Sequence, residues 1–93
     1  MTPQLITVLA VDDHPILRRG IVAVIEEEGD MKIVGETSTA SEALEMFRAC
    51  RPDVVLMDLQ LPDISGLEAI ISLRRDHPNA RVIVLTTPLG IAS

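Results

Sequence analysis

Residues 5–15 read LITVLAVDDHP, and the fold of this chain can be predicted outward from them. The first seven residues carry no charge and are apolar apart from one threonine, which is typical of a strand buried on both faces of a parallel sheet. Asp12 and Asp13 end this strand, and Pro15 suits the first turn of a following helix. The stretch therefore predicts a strand, an acidic turn and a helix, the opening unit of an α/β fold.

The rest of the chain repeats this alternation. Further strands are predicted at 31–37, 53–57 and 81–86, and helices at 15–27, 39–50 and 65–76. Single helices between strands predict a parallel sheet with right-handed crossovers. The helix boundaries are predicted from capping pairs and helix-breaking residues: Thr39 with Glu42, Ser65 with Glu68, Gly29, Pro52 and His77-Pro78-Asn79. The apolar face of the first helix is predicted from residues that recur near a 3.6-residue period: Ile16, Leu17, Ile21, Val24 and Ile25.

Composition narrows the classes of function. The chain has 93 residues, 47% of them hydrophobic and 1% aromatic, and a net charge of −6, which fits one folded domain and disfavours nucleic acid as its direct partner. Its single cysteine, Cys50, excludes an internal disulfide and fits a reducing cytoplasm. No apolar run approaches the ~20 residues of a membrane span, and no signal peptide is recognised, so we expect a cytoplasmic protein with no membrane contact.

Acidic residues follow two strands that we expect to be neighbours. In the flavodoxin-like order 2-1-3-4-5 the first and third strands are adjacent, so Asp12, Asp13 and Asp58 would converge in one crevice. Carboxylates about 4–5 Å apart repel by a few kcal/mol, and such a cluster needs a cation, for which oxygen ligands favour Mg²⁺. An alternative for Asp12 or Asp13 is a helix cap, and His14 and His77 are interpreted as turn and cap residues. No dinucleotide-binding glycine motif, Walker A loop or zinc spacing occurs.

These residues stand in motifs that resemble the receiver (CheY-like) domain of bacterial two-component response regulators, within the NarL/FixJ (LuxR-type) subfamily. The resemblance covers residues 5–87. Five segments carry it: Val11-Asp12-Asp13-His14-Pro15, Met57-Asp58-Leu59-Gln60-Leu61-Pro62, Gly66-Leu67-Glu68, His77-Pro78-Asn79-Ala80-Arg81-Val82 and Leu85-Thr86-Thr87.

The resemblance implies a role for each matching residue. Asp58 is expected to accept a phosphoryl group from a sensor histidine kinase, and to ligate Mg²⁺. Asp12 and Asp13 are expected to be the acidic pair that binds Mg²⁺, and the backbone carbonyl of Gln60 a further ligand. Thr86 and Thr87 are expected to contact the phosphoryl group, with Thr86 as the switch hydroxyl.

The resemblance also predicts parts that this sequence does not show. The expected fold is an α/β, flavodoxin-like (CheY-like), three-layer parallel sheet of order 2-1-3-4, with the fifth strand and last two helices missing. Residues 1–93 are thus expected to be one receiver domain truncated after the fourth strand, with 88–93 as a tail unlike the family and no DNA-binding domain. No phosphate-contacting lysine is expected, because the only lysine, Lys32, falls on the second strand.

Three functions remain open at this point. The first is a Mg²⁺-dependent phosphoacceptor, a signalling domain that is not an enzyme and that controls an attached or partner transcriptional output. The second is a receiver that is not phosphorylated and acts as a dimerisation module. The third is a phosphatase of the haloacid dehalogenase type, disfavoured because Gln60 stands where that family needs an acid.

The predicted fourth strand also points to a homodimer. Residues 82–85 are apolar on both faces and would form a sheet edge, which is a template for pairing with a second chain. A covering tail is the alternative, although Pro88 and Gly90 make residues 87–93 a poor strand.

Overall fold

The structure is a computed structural model that describes residues 5–85. Several predictions of the sequence analysis concern residues outside this range: Thr86 and Thr87 as contacts of the phosphoryl group, and the tail at 88–93. The elements in chain order are β1 (Ile6–Val11), α1 (Pro15–Glu27), β2 (Met31–Thr37), α2 (Ala40–Cys50), β3 (Val54–Asp58), α3 (Gly66–Asp76) and β4 (Val82–Leu85).

All four strands form one parallel sheet in the order β2-β1-β3-β4, which confirms the predicted fold class and strand order. β1 pairs with β3 so that Val11 lies opposite Met57, and β3 pairs with β4 as far as Asp58 opposite Leu85. Asp58 is therefore the last paired residue of β3. The sequence pattern predicts it one residue later, directly after the strand. The pairing also places Asp12 and Asp58 at the same end of adjacent strands.

The main core lies between the sheet and helices α2 and α3. Side chains of the two central strands fill it together with the inner faces of both helices: Leu9, Val11, Val55, Met57, Ala40, Ala43, Phe47, Ala69, Leu73 and Ala80. Because alternate residues of a strand face opposite ways, Val8, Ala10 and Leu56 point to the other face, where α1 packs against β1 and β2. The result is three layers, with two helices on one side.

Helix α1 is less buried than its apolar period predicts. None of its residues is fully buried, and Ile16 and Val24 are 88% and 63% exposed. Ile21 and Ile25 are half-buried and make the contact with the sheet. The reason is that α1 is the one described helix on this face, so only a narrow stripe of its surface meets the strands.

The helix ends follow the predicted caps with one difference. Thr39 Oγ1 accepts from the Glu42 N–H at 3.3 Å and Ser65 Oγ from the Glu68 N–H at 3.2 Å. The Glu42 carboxylate, however, accepts hydrogen bonds from the hydroxyls of Thr37 and Thr39. In a complete capping box it would accept from the backbone N–H of Thr39 instead. Gly29, at φ +80°, ends α1 as predicted.

Among the described residues, no helix combines the length and the apolar composition that crossing a membrane requires.

Candidate functional site

Two buried carboxylates meet at the carboxyl ends of β1 and β3. Asp12 directly follows β1 and is 1% exposed, and Asp58 ends β3 and is 2% exposed. They are brought together because their strands are paired neighbours, which is the arrangement predicted for the crevice of an open parallel sheet. Buried carboxylates without a cation are costly, so their meeting needs a chemical explanation.

Asp58 has one oxygen held and one oxygen free. The backbone N–H of Gln60 donates to Oδ1 at 3.0 Å, and this bond fixes the orientation of the carboxylate. Oδ2 is buried and has no hydrogen-bond partner among the described residues. An unpaired buried acceptor loses its solvation with no compensation, so Oδ2 is poised for a ligand or a reaction.

Asp12 repeats the same pattern. Its Oδ1 accepts from the His14 backbone N–H at 2.6 Å, and its Oδ2 is buried without a hydrogen-bond partner among the described residues. The main chain at Asp12 is also held: its N–H donates to the Thr37 carbonyl at 3.0 Å, and its carbonyl accepts from Arg18 Nη1 at 2.9 Å. The turn after β1 is thus rigidly placed beside Asp58.

His14 joins the two carboxylates, which sequence reasoning missed. Its Nδ1 lies 3.0 Å from Asp12 Oδ1 and 3.5 Å from Asp58 Oδ2, while the ring is 53% exposed. The hydrogen bond with Asp12, helped by the charges of Asp12, Asp58 and Asp13, raises the pKa of the imidazole above 6.5. His14 does occupy the N-cap position of α1, as predicted, but its side chain makes no cap bond. The available signal was its position two residues after Asp12, within reach of that carboxylate.

Two further residues named in the sequence analysis, Asp13 and Lys32, are not part of this group. Asp13 is exposed and lies outside the group of ligand atoms within 4.8 Å of one another, which comprises Asp12, His14 and Asp58. Lys32 pairs with Thr7 near the start of β1, at the opposite end of the sheet. No lysine among the described residues therefore approaches the acidic group.

Gly66 sets the distance between the site and α3. Its N–H donates to the Leu59 carbonyl at 2.8 Å, and a Cβ added to it would lie 2.1 Å from the carbonyl oxygen of Asp58. No side chain fits at that distance. The first residue of α3 must therefore be glycine for the helix to begin directly against the chain that carries Asp58.

Asp63 connects the loop after Asp58 to α2. Its carboxylate accepts from the backbone N–H groups of Ala40 and Ser41, both at 2.9 Å, and from the Ser41 hydroxyl at 2.5 Å. These bonds hold its pKa well below the usual range, with the Ser41 hydroxyl as the largest cause. This contact could not be predicted from a local pattern, because the partners are more than twenty residues apart in the chain.

A shallow cavity of about 320 Å³ opens at the other end of the sheet, away from the acidic group. Arg51, His77 and Phe47 form one side of it, with Arg51 Nη1 3.2 Å from His77 Nδ1. It contains no residue of the acidic group.

Known proteins are similar to this chain in sequence and in fold. The family model described as "Response regulator receiver domain" matches residues 8–90. The chain is 42% identical over 82 residues to "Response regulator GacA" of Pseudomonas viridiflava, covering 88% of this chain and 38% of that protein. It is 38% identical over 82 residues to "Response regulator protein VraR" of Staphylococcus aureus, covering 88% of this chain and 39% of that protein. The chain thus spans about two fifths of the length of these curated relatives.

Solved structures agree. A LuxR-family two-component response regulator from Aurantimonas sp. SI85-9A1 superposes with a TM-score of 0.85 at 35% identity, over 96% of this chain and 65% of that chain. The signal receiver domain of the putative response regulator NarL from Mycobacterium tuberculosis superposes with a TM-score of 0.86 at 32% identity, over 90% of this chain and 68% of that chain. With its parallel sheet and its acidic group at the carboxyl ends of β1 and β3, this chain belongs to the receiver domain family of two-component response regulators.

Proposed function

We propose that Asp58 is the phosphoacceptor of this receiver and takes its phosphoryl group from a sensor histidine kinase. The observation that carries the proposal is the state of its two oxygens. Oδ1 is held by the Gln60 N–H, while Oδ2 is buried and accepts no hydrogen bond from the described residues, with His14 Nδ1 3.5 Å away. A carboxylate oriented through one oxygen and free at the other is prepared for in-line attack through the free one.

The transfer needs little from the protein beyond position and charge. Oδ2 forms a new bond to phosphorus as the bond from phosphorus to the histidine nitrogen of the donor breaks, and the electron pair returns to that nitrogen. The phosphoryl oxygens bring negative charge to a site that already holds two buried acids. Neutralising that charge is therefore the main requirement for catalysis.

Mg²⁺ fits this requirement. Asp12 Oδ2 is a buried carboxylate oxygen with no hydrogen-bond partner among the described residues, and its residue lies beside Asp58, which suits a hard cation that prefers oxygen ligands. We propose that Asp12, Asp13, Asp58 and the backbone carbonyl of Gln60 hold the ion, directly or through water. When bound, Mg²⁺ supplies the positive charge that offsets the acids and the incoming phosphoryl group.

The wider role follows as part of the same proposal. Thr86 and Thr87 would contact the phosphoryl group after transfer, as the residues that follow β4. The receiver unit over 1–93, supported by the family match at 8–90, would act in the cytoplasm as a phosphoacceptor, not as an enzyme with turnover, and without contacting DNA itself. It would signal to a transcriptional output, attached or separate.

Phosphorylation can be tested on the intact mass of the chain. After incubation with Mg²⁺ and acetyl phosphate, we expect the wild type to gain the mass of one phosphoryl group and Asp58→Asn to gain none. Asp53→Asn is the matched control, because Asp53 precedes the same strand at its opposite end, where it accepts from Thr7. A phosphorylated Asp58→Asn protein, or a loss in both variants, would refute the assignment.

A second role, dimerisation through β4, is favoured by a separate observation. Within the described residues β4 pairs only with β3, and Ile83 and Val84 on its two faces are exposed. We propose that this edge pairs with a second copy of the chain, with or without phosphorylation of Asp58. An apolar strand edge with free N–H and C=O groups is suited to that contact.

A further inference from the structure

The imidazole of His14 occupies the place in the site where a cation is needed. Its Nδ1 lies 3.0 Å from Asp12 Oδ1 and 3.5 Å from Asp58 Oδ2, and all three ligand atoms fall within 4.8 Å of one another. The ring is held there by the chain itself, since the His14 backbone N–H is bonded to Asp12. A nitrogen donor is thus built into an otherwise oxygen-only group.

These distances fit the spacing of ligands around one metal ion. For a metal–ligand distance of about 2.1 Å, two ligands lie about 3.0 Å apart at a right angle and about 3.4 Å apart at the tetrahedral angle. The observed distances from His14 Nδ1, 3.0 Å to Asp12 Oδ1 and 3.5 Å to Asp58 Oδ2, lie close to this range, so the three atoms can surround one ion once the hydrogen bond between His14 and Asp12 is given up. The second, independent sign of a ligand is that Asp58 Oδ2 is buried with no hydrogen-bond partner among the described residues, as is Oδ2, the second oxygen of Asp12.

We propose that His14 Nδ1 is a metal ligand in this receiver, and that it makes the acidic group prefer a transition-metal divalent cation such as Mn²⁺ over Mg²⁺. The inference rests on the proposed metal site and adds a ligand to it. Mg²⁺ prefers oxygen donors and keeps its waters, whereas first-row transition ions accept imidazole nitrogen readily. Replacing one oxygen or water ligand by a nitrogen therefore shifts selectivity toward the latter.

Mn²⁺ is the probe of choice, and its binding is measured by electron paramagnetic resonance at pH 8, because a nitrogen ligand must lose its proton to bind a metal and a higher pH favours that loss. It leaves the exposed thiol of Cys50 aside, because it is a poor partner for sulfur. Binding is titrated from the signal of free Mn²⁺, and pulsed measurements on the bound ion report a directly bonded nitrogen. Mg²⁺ affinity is measured by competition.

The test variant is His14→Phe. It keeps a planar ring and the hydrogen bond from the backbone N–H to Asp12, and it removes the ring nitrogen Nδ1. His77→Phe is the matched control, since the His77 ring packs against Phe47 at the other end of the sheet, with 4.6 Å between the ring centroids. We expect nitrogen coupling in the wild type and in His77→Phe but none in His14→Phe. Mn²⁺ affinity should fall by about tenfold or more in His14→Phe, while Mg²⁺ affinity changes much less.

The other outcomes separate this inference from the function it rests on. Bound Mn²⁺ with no nitrogen coupling in the wild type would overturn the role of His14 and leave the magnesium site standing. Equal losses of Mn²⁺ and Mg²⁺ affinity in His14→Phe would show a structural role and also overturn it. A wild type that binds neither ion would overturn both proposals.

Discussion

At the scale of single residues, Gly66 controls how closely α3 approaches the backbone of Asp58. A Cβ at this position would lie 2.1 Å from the Asp58 carbonyl and 2.6 Å from Leu59 Cα, and backbone atoms cannot rotate away. We therefore expect Gly66→Ala to lower the free energy of unfolding by about 1–3 kcal/mol. The shift of Asp58 should also slow phosphorylation by acetyl phosphate, by on the order of a hundredfold for a displacement near 1 Å.

The control for this prediction is Gly20→Ala in the exposed surface of α1. Nothing lies within 4 Å of a Cβ added there. Because glycine weakens a helix interior, that change should raise the free energy of unfolding by about 0.5–1 kcal/mol and leave phosphorylation unchanged. Urea unfolding gives the first quantity and intact mass against time the second. Equal effects of the two substitutions would refute the close approach at Gly66.

Residues of the site differ in how far the sequence could reveal them. Asp12 and Asp58 could be predicted, because polar residues that end apolar strands are poorly explained by folding alone. His14 could not be assigned to the group, since an N-cap position accounts for a histidine there without any contact. The contact of Asp63 with α2 was also hidden, because it depends on how two loops meet in space.

At the scale of elements, Asp63 stabilises the first turn of α2 from outside the helix. Its carboxylate accepts hydrogen bonds from the backbone N–H groups of Ala40 and Ser41, which lie in the first turn of α2 and so have no acceptor within the helix. The pKa of Asp63 is lowered from 3.8 in the folded chain, so its stabilising contribution is full above about pH 4. It is lost as the pH falls through the lower folded-state value, because the carboxyl group then takes up a proton.

We therefore expect Asp63→Ala to lower the urea midpoint at pH 7, and the difference from the wild type to shrink below pH 4. Asp30→Ala removes the same charge from an exposed position and is the control. Unfolding curves across pH 2–7 decide the matter. A gap between Asp63→Ala and the wild type that stays constant over this range would contradict the cap.

The elements themselves were largely predictable. Apolar runs for the strands, together with capping residues and breakers for the helices, place the ends of the elements within about one residue of the structure, as for Pro15–Glu27 and Gly66–Asp76. The exposure of α1 was not predictable, because a 3.6 period reports which face of a helix is apolar but not how much of that face finds a partner. Ile16 and Val24 show this difference.

At the scale of the whole molecule, two features have opposite effects on association: the edge of β4, which has no second strand partner among the described residues, and the net charge. Apolar exposure at Ile83, 54%, favours pairing with a second chain, while a charge of −6 on each copy resists it. We expect light scattering after gel filtration to show a mass that rises above 10.1 kDa with concentration. Added salt should strengthen the association by screening the repulsion.

Two variants locate the contact. Ile83→Lys places a charge on the edge strand and should keep the chain monomeric, whereas Val24→Lys removes a similarly exposed apolar residue from α1 and should behave as the wild type. A wild-type mass near 10.1 kDa at every concentration would refute the dimer. Loss of association in Val24→Lys alone would move the contact to α1.

Whether Asp58 receives the phosphoryl group can be decided by locating that group in the chain. After phosphorylation with acetyl phosphate and Mg²⁺, borohydride reduces an aspartyl phosphate to homoserine, which marks its position for peptide mass spectrometry. We predict homoserine at residue 58, with Asp12, Asp13 and Asp53 unchanged. Homoserine at residue 12 or 13, or no homoserine in a chain that has gained the phosphoryl mass, would contradict the assignment of Asp58 as the phosphoacceptor.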